Sequence, residues 1–159
     1  MKRVKLIYNG KEIISDSFNM KAYRVMYDTA AKGNFTPGLL DDMALKGIIA
    51  MFDGTPITED LLTNNWREFD ETELDAALLK VYGWFFAVRP QGGVTKFEGT
   101  PPKDPILSIY KRLLRDHGIT PSEVDEQDPQ LLFDVFGADM GEQISFDDMS
   151  NEERELYGL

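Results

Sequence analysis

One Asn-Gly pair near the N-terminus constrains the fold more strongly than any other feature of this chain. Asn9 and Gly10 separate two short runs rich in apolar residues, VKLIY and KEIIS. Asn-Gly is the preferred pair for a two-residue type I′ turn, in which both residues need positive φ. The turn sets the register of a β-hairpin, whose predicted pairs on one face are Tyr8–Lys11, Leu6–Ile13 and Val4–Ser15. Apolar residues on both faces of this hairpin predict that it packs on helices.

The rest of the chain repeats a helical pattern with start and stop signals. Asn19 is placed to cap the first helix, and Gly33 is expected to end it in a left-handed conformation. Thr58 is placed to cap a single short turn, TEDLL. The sequence therefore predicts an α+β, mostly α-helical protein. In that fold, an N-terminal β-hairpin packs on a helical bundle and a small helical C-terminal module follows.

A segment rich in proline and glycine interrupts the helical pattern. Residues 89–105, RPQGGVTKFEGTPPKDP, hold four prolines and three glycines without helical periodicity. This composition is typical of a linker or long loop. The predicted organisation is a hairpin-plus-helices module at 1–88, a linker at 89–105 and an acidic helical module at 106–159.

The charge is distributed unevenly along the chain. The formal net charge is −11, but residues 1–115 hold 16 basic and 15 acidic side chains. Residues 116–159 hold 13 acidic side chains and one basic side chain, Arg154. Such a surface repels phosphate backbones, so nucleic acid and anionic membranes are not expected as partners. The surface is interpreted either as a solvated face or as one that steers a basic partner.

The residue types for several kinds of chemistry are missing or badly spaced. There is no cysteine and one histidine, His117, which precedes Gly118. A protonated histidine at a helix C-terminus interacts favourably with the helix dipole, so His117 is expected to stabilise its helix rather than act as a base. The acidic stretch that begins at Asp125 does not fit a calcium loop, because Pro129 and Gln130 fall where a ligand and a glycine are needed. The stretch DMGEQISFDD does not fit either, because Glu142 falls where glycine is needed and Asp148 where glutamate is needed. The sequence therefore predicts a protein that is not an enzyme and that binds no metal and no cofactor. The apolar run GWFFAV is too short to span a membrane.

The stretch HGITPSEVDEQDPQLLF, residues 117–133, concentrates acidic side chains and could be interpreted as a metal loop or an acid/base site. Thr120 and Glu123 form a capping box around Pro121, and Asp128-Pro129 is a second helix start. The stretch is therefore interpreted as helix boundaries carrying an acidic docking face. The candidate contacts of that face are Glu123, Asp125, Glu126, Asp128 and Asp134.

The most hydrophobic helical pattern is DETELDAALLKVYGWFFAV, residues 70–88. Its core face includes Leu74, Val81 and Phe85, and Trp84 and Phe86 widen that face. A stripe of this width is usually buried, but it can also bind another protein. Trp84, Phe85 and Phe86 are therefore candidate partner contacts.

Two parts of the chain together resemble a known family. VKLIYNGKEI and SFNMKAYRVMYD resemble the first module of tail assembly chaperones from long-tailed siphophages and prophages of Gram-positive hosts, in their fused two-module form. DPILSIYKRLLRDHGITPSEVDEQDPQLLFDVF resembles the second module. The matching positions there are Ile106, Tyr110, Leu113, Leu114, the segment 120–125 and Asp128.

The resemblance implies a non-catalytic role in tail assembly. The first module would bind the tape measure protein and keep its apolar helices from aggregating. The second would recruit subunits of the major tail tube protein, with Tyr110 among the candidate contacts. The protein would act in the cytoplasm of the bacterial host and would not remain in the mature virion. The exposed edge of the predicted hairpin and the broad apolar helix also suggest a homo-oligomer. The alternative function is that of an acidic adaptor or regulatory protein that binds a host partner.

Overall fold

The computed structural model describes residues 2–33, 37–88 and 105–136. The predicted linker, apart from Pro105, and residues 137–159 of the predicted C-terminal module lie outside the described residues. The described elements are β1 (Val4–Tyr8), β2 (Lys11–Ser15), α1 (Met20–Lys32), α2 (Pro37–Met51), α3 (Glu59–Asn64), a short 3-10 helix (Trp66–Glu68), α4 (Glu71–Ala87), α5 (Pro105–His117), α6 (Pro121–Asp125) and α7 (Pro129–Phe136). This confirms the expected α+β, mostly α-helical fold with an N-terminal hairpin.

The hairpin has the register that the Asn-Gly turn predicts. Strands β1 and β2 are antiparallel, with the pairs Val4–Ser15, Leu6–Ile13 and Tyr8–Lys11. Asn9 and Gly10 have φ values of 48° and 74°, as a type I′ turn requires. At its C-terminal end, β1 is also paired on its outer edge, because Tyr8 forms an isolated bridge with Phe69.

Side chains at the predicted caps begin two of the helices. The Asn19 side chain accepts a hydrogen bond from the Ala22 amide at 3.2 Å, and Thr58 accepts one from the Leu61 amide at 3.3 Å. Both bonds satisfy amides that have no partner inside the helix.

The expectation of a left-handed Gly33 is wrong, because its φ is −100° and its backbone is extended. A Cβ atom on Gly33 would collide with the Leu39 side chain of α2. An alanine at this position would therefore require the end of the Leu39 side chain to shift.

The described residues group into two compact units. The first contains residues 2–33, 37–88 and 122–129, and the second contains 105–121 and 130–136. The sequence-based division into modules stays a prediction. In the structure, residues 122–129 belong to the first unit although they follow α5 in the chain.

The core of the first unit is formed where α1, α2 and α4 meet beneath the hairpin. Its fully buried side chains include Leu6, Met26, Ile48 and Val81. The Ser15 hydroxyl donates a hydrogen bond of 2.6 Å to the Met51 carbonyl at the end of α2, which joins β2 to that helix. The end of α2 thereby gains a partner for a carbonyl that the helix itself does not satisfy.

In the second unit, α5 buries the apolar face expected from its spacing. Ile106, Ile109, Tyr110 and Leu113 are all at most 5% exposed. Helix α5 ends at His117, and Gly118 has a φ of 66°, which confirms the predicted helix end. Helix α7 buries Leu132 and Phe133.

Candidate functional site

The three aromatic residues predicted as one contact surface lie in different environments. Trp84 is half-buried, with its ring 5.5 Å from that of Phe18. Phe85 is buried and stacks on Tyr23 at 5.0 Å. Phe86 is half exposed and packs 4.7 Å from Tyr82. Of the three residues, only Phe86 is therefore half exposed, while Phe85 belongs to the core of the first unit.

The exposed face of α4 carries an apolar surface that the sequence interpretation missed in part. Leu79 is 73% exposed and Phe86 is 50% exposed, seven residues apart along the helix. Tyr82 lies between them and is partly exposed. Positions seven residues apart share a helix face. Leu79, Tyr82 and Phe86, called here the α4 apolar stripe, form a surface suited to an apolar helix. The exposure of Leu79 could have been predicted from the sequence, because helical spacing places this residue outside the main buried face of α4.

Tyr110 does not lie on an exposed surface. It is 5% exposed and belongs to the buried face of α5 in the second unit. The tyrosine in the pattern DPILSIYKRLL is therefore explained by its packing in the core of the second unit. A direct contact with a partner would need α5 to move or this face to open.

The five acidic residues predicted as one docking face are divided between the two units. Glu123, Asp125, Glu126 and Asp128 belong to the first unit, and Asp134 belongs to the second. Glu123, Glu126, Asp128 and Asp134 are exposed. The Asp134 carboxylate accepts a hydrogen bond of 2.8 Å from the Gln130 side chain.

Asp125, which is partly buried, and Asp128, which is exposed, make ion pairs within the first unit. Nη2 of Arg24 lies 3.2 Å from both carboxylate oxygens of Asp125. The side chain of Asp125 is only 21% exposed. Nζ of Lys2 lies 3.9 Å from the Asp128 carboxylate. The two basic partners are far away in the sequence, so the pattern of residues 117–133 alone could not reveal them.

Residues 122–129 dock on the first unit through their backbone and two buried side chains as well as these pairs. The Gln127 carbonyl accepts a hydrogen bond of 2.8 Å from the Met20 amide at the start of α1. Val124 and Pro129 are fully buried. This segment, called here the clasp, places acidic side chains over the N-terminal end of α1.

An open cavity of about 330 Å³ lies beside the clasp, within the first unit. Its lining is mostly polar and includes Asn19, Lys21, Asp53 and Glu126. Nζ of Lys21 donates a hydrogen bond of 2.6 Å to Asp53, and this bond holds the pKa of the Asp53 carboxyl below its usual value. Lys21 and Asp53, the side chains of this cavity that would first suggest acid/base chemistry, are therefore already paired with each other.

The pKa values of three other groups are shifted by hydrogen bonds or by burial. A hydrogen bond to Glu73 raises the pKa of Lys5, and one from Arg115 lowers the pKa of Asp116. Burial raises the pKa of Tyr23 to about 12, because the ionised phenolate would lose its hydration. Across ranges 2–33, 37–88 and 105–136, no group of three or more His, Cys, Asp or Glu residues is arranged to hold a metal ion.

None of the helices in the described ranges has the length and apolar character needed to cross a membrane. No family model, curated protein or solved structure matches the chain. The α4 apolar stripe and the exposed acidic residues between positions 123 and 134 are therefore the two candidate binding surfaces.

Proposed function

We propose that this protein is a non-catalytic tail assembly chaperone of long-tailed phages. It binds the tape measure protein and recruits subunits of the major tail tube protein in the cytoplasm of the bacterial host. It is then left out of the mature virion. The observation that carries the proposal is the α4 apolar stripe, because an exposed apolar helix face suits the covering of another apolar helix.

The α4 apolar stripe is the proposed contact for the tape measure protein. Leu79 and Phe86 have the exposed area that binding would remove from water, whereas Phe85 is already buried. Burying an exposed apolar side chain contributes about 1.5–3 kcal/mol when burial is complete. Loss of both side chains should therefore weaken capture by about tenfold or more, since about 1.4 kcal/mol corresponds to a factor of ten.

The test is co-purification of the tape measure protein of the same phage with the variants Leu79→Ser and Phe86→Ser. Ile14→Ser is the matched control, because Ile14 is 47% exposed on the hairpin of the same unit. Capture should fall in the α4 variants and stay at the wild-type level in the control. Equal capture by all three variants would exclude the stripe, and no capture by the wild-type protein would exclude the function.

Recruitment of tail tube subunits is assigned to the exposed acidic residues Glu123, Glu126 and Asp134. Charges at the rim of an interface change the association rate more than the affinity. The amide variants of these three residues should therefore slow association with tube subunits, and more so at low salt. Amide variants of Asp41 and Asp42, which are exposed on α2, are the control for net charge.

A second candidate is an acidic adaptor or regulatory protein that binds a host partner. The excess of 13 acidic over one basic side chain in residues 116–159 favours it. It differs from the first candidate in its partner. It requires a basic host protein whose binding weakens in the same amide variants, in the absence of tape measure and tube proteins. Binding that is unchanged in those variants would count against it.

A further inference from the structure

The α4 apolar stripe has a notch in its surface at Gly83. This glycine follows Leu79 by four residues and precedes Phe86 by three, so all three residues share one helix face. Gly83 is exposed, and a methyl group built on it would meet nothing within 4 Å. The helix backbone at Gly83 is therefore accessible from outside, with an exposed apolar side chain on either side of it.

Glycine is unfavourable at this position for the helix itself. It is the least favourable residue in a helix interior after proline. Gly83 has no positive φ, so a left-handed backbone does not require a glycine there. A glycine on a helix surface does allow a second backbone to come close, because the distance between two packed helices depends on the side chains at their contact.

An acidic side chain continues the same face towards the start of α4. Asp75 precedes Leu79 by four residues and is exposed. Within residues 2–33, 37–88 and 105–136, no basic side chain forms an ion pair with Asp75, whereas Glu73 lies 3.2 Å from Nζ of Lys5. The last residues of α4, from Val81 onward, carry no charge. The exposed face is therefore acidic at one end and apolar along the rest.

From the notch, the apolar side chains beside it and the acidic end, we infer that the α4 apolar stripe binds a single apolar α-helix whose backbone comes closest at Gly83 and whose basic side chain lies beside Asp75. Leu79 and Phe86 are about 10 Å apart along the axis, which is two helical turns. A second helix presents apolar side chains at the same interval, so the two sets can interdigitate. The inference rests on the proposed function, since it specifies which helices of the tape measure protein are bound.

The variant Gly83→Leu separates close backbone approach from simple burial of apolar area. Leucine is a better helix former than glycine, so this variant should unfold at a higher urea concentration than the wild type. Its side chain fills the notch and keeps the partner backbone away, so capture of the tape measure protein should fall about tenfold. Gly83→Ala should show a smaller loss of the same sign.

Ala87→Leu is the matched control for Gly83→Leu. It adds a leucine at an exposed position of α4 that does not share a face with Phe86, because adjacent residues of a helix point apart. Capture should stay at the wild-type level in this variant. Capture by Gly83→Leu at or above the wild-type level would overturn the inference, because added apolar area would then help binding.

The charge preference is measured with the full-length protein and two synthetic peptides by fluorescence anisotropy. Both peptides are amphipathic helices of about twenty residues with a leucine stripe, which has lysine at each end in one peptide and glutamate in the other. The wild type should bind the lysine peptide about threefold more tightly, and Asp75→Lys should invert this preference. Asp41→Lys, at an exposed position of α2, changes the net charge equally and should keep the wild-type preference.

Failure of this inference differs from failure of the proposed function. If the wild type captures the tape measure protein but Asp75→Lys leaves the peptide preference unchanged, or Asp41→Lys inverts it too, the function stands and the helix contact is refuted. If the wild type captures no tape measure protein, the function is refuted, and the peptides alone decide whether the stripe binds a helix. A wild-type dimer that becomes a monomer of 18.1 kDa in Gly83→Leu would assign the stripe to a second copy and overturn the inference.

Discussion

Gly47 tests the packing of the first unit, because it lies in α2 between α1 and α4. A methyl group at this position would lie 2.5 Å from Sδ of Met26 and 2.8 Å from Cγ1 of Val81. Ordinary contacts between such atoms are about 3.5–4.0 Å. Both neighbours are fully buried, and valine has little rotamer freedom in a helix. The substitution Gly47→Ala should therefore overpack this contact.

Two effects of opposite sign determine the size of the change. Replacing glycine by alanine inside a helix stabilises it by about 1 kcal/mol. Overpacking a well-filled core costs about 1–3 kcal/mol. Gly47→Ala should therefore range from near neutral to about 2 kcal/mol less stable than the wild type.

Gly83 in α4 provides the matched control. It is exposed, and a methyl group there would have nothing within 4 Å. Gly83→Ala should stabilise the protein by about 1 kcal/mol through helix propensity alone. The propensity gain is common to both variants, so the difference between them equals the overpacking cost, about 1–3 kcal/mol.

Urea unfolding measures this difference, with tryptophan fluorescence as the signal. Both tryptophans, Trp66 and Trp84, belong to the first unit, so the signal reports on that unit. The comparison needs equal m-values in the two variants, since the slope reflects the surface exposed on unfolding. If Gly47→Ala is as stable as Gly83→Ala, the close contact of α1, α2 and α4 at this residue is refuted.

Two further predictions concern buried polar groups. Ser15→Ala should lower the free energy of unfolding by about 1–2 kcal/mol, because the buried Met51 carbonyl loses the hydroxyl that donates to it at 2.6 Å. Urea unfolding measures this change, with Ser17→Ala, at an exposed position, as the control. Burial raises the pKa of Tyr23 to about 12 from an unfolded value of 10.0. The folded state therefore keeps a proton that the unfolded state has lost, and stability should be full below pH 10 and fall as the pH rises towards 12. Urea midpoints across this range should drop in the wild type and drop less in Tyr23→Phe. Equal slopes in the two proteins would contradict the assignment.

Local signals in the sequence were sufficient for most of the secondary structure. The Asn9-Gly10 turn determines a register that depends only on backbone conformation at two residues. Asn19 and Thr58 begin helices because their side chains accept hydrogen bonds from amides three residues on. Gly33 was misjudged because the backbone continues from this residue in an extended conformation, which the helix-end pattern does not encode.

The candidate surfaces depended more strongly on the tertiary structure. Helical periodicity predicted that Phe85 and Phe86 share an apolar region, but packing against Tyr23 buries the first and leaves the second half exposed. Tyr110 was placed on the correct face of α5, but that face is buried. A helix pattern shows which residues share a face, whereas exposure depends on what the face meets.

What the sequence alone determined is therefore the hairpin register, the helix starts at Asn19 and Thr58, the end of α5 before Gly118 and the acidic excess after residue 115. Hydrogen bonds over two to four residues and the period of apolar side chains are local properties, and they can be deduced from neighbouring residues. Only the tertiary structure decided that Asp125 is held by Arg24 while Glu123 and Glu126 remain exposed. An ion pair between residues 101 positions apart depends on where the chain returns, and no local pattern specifies that.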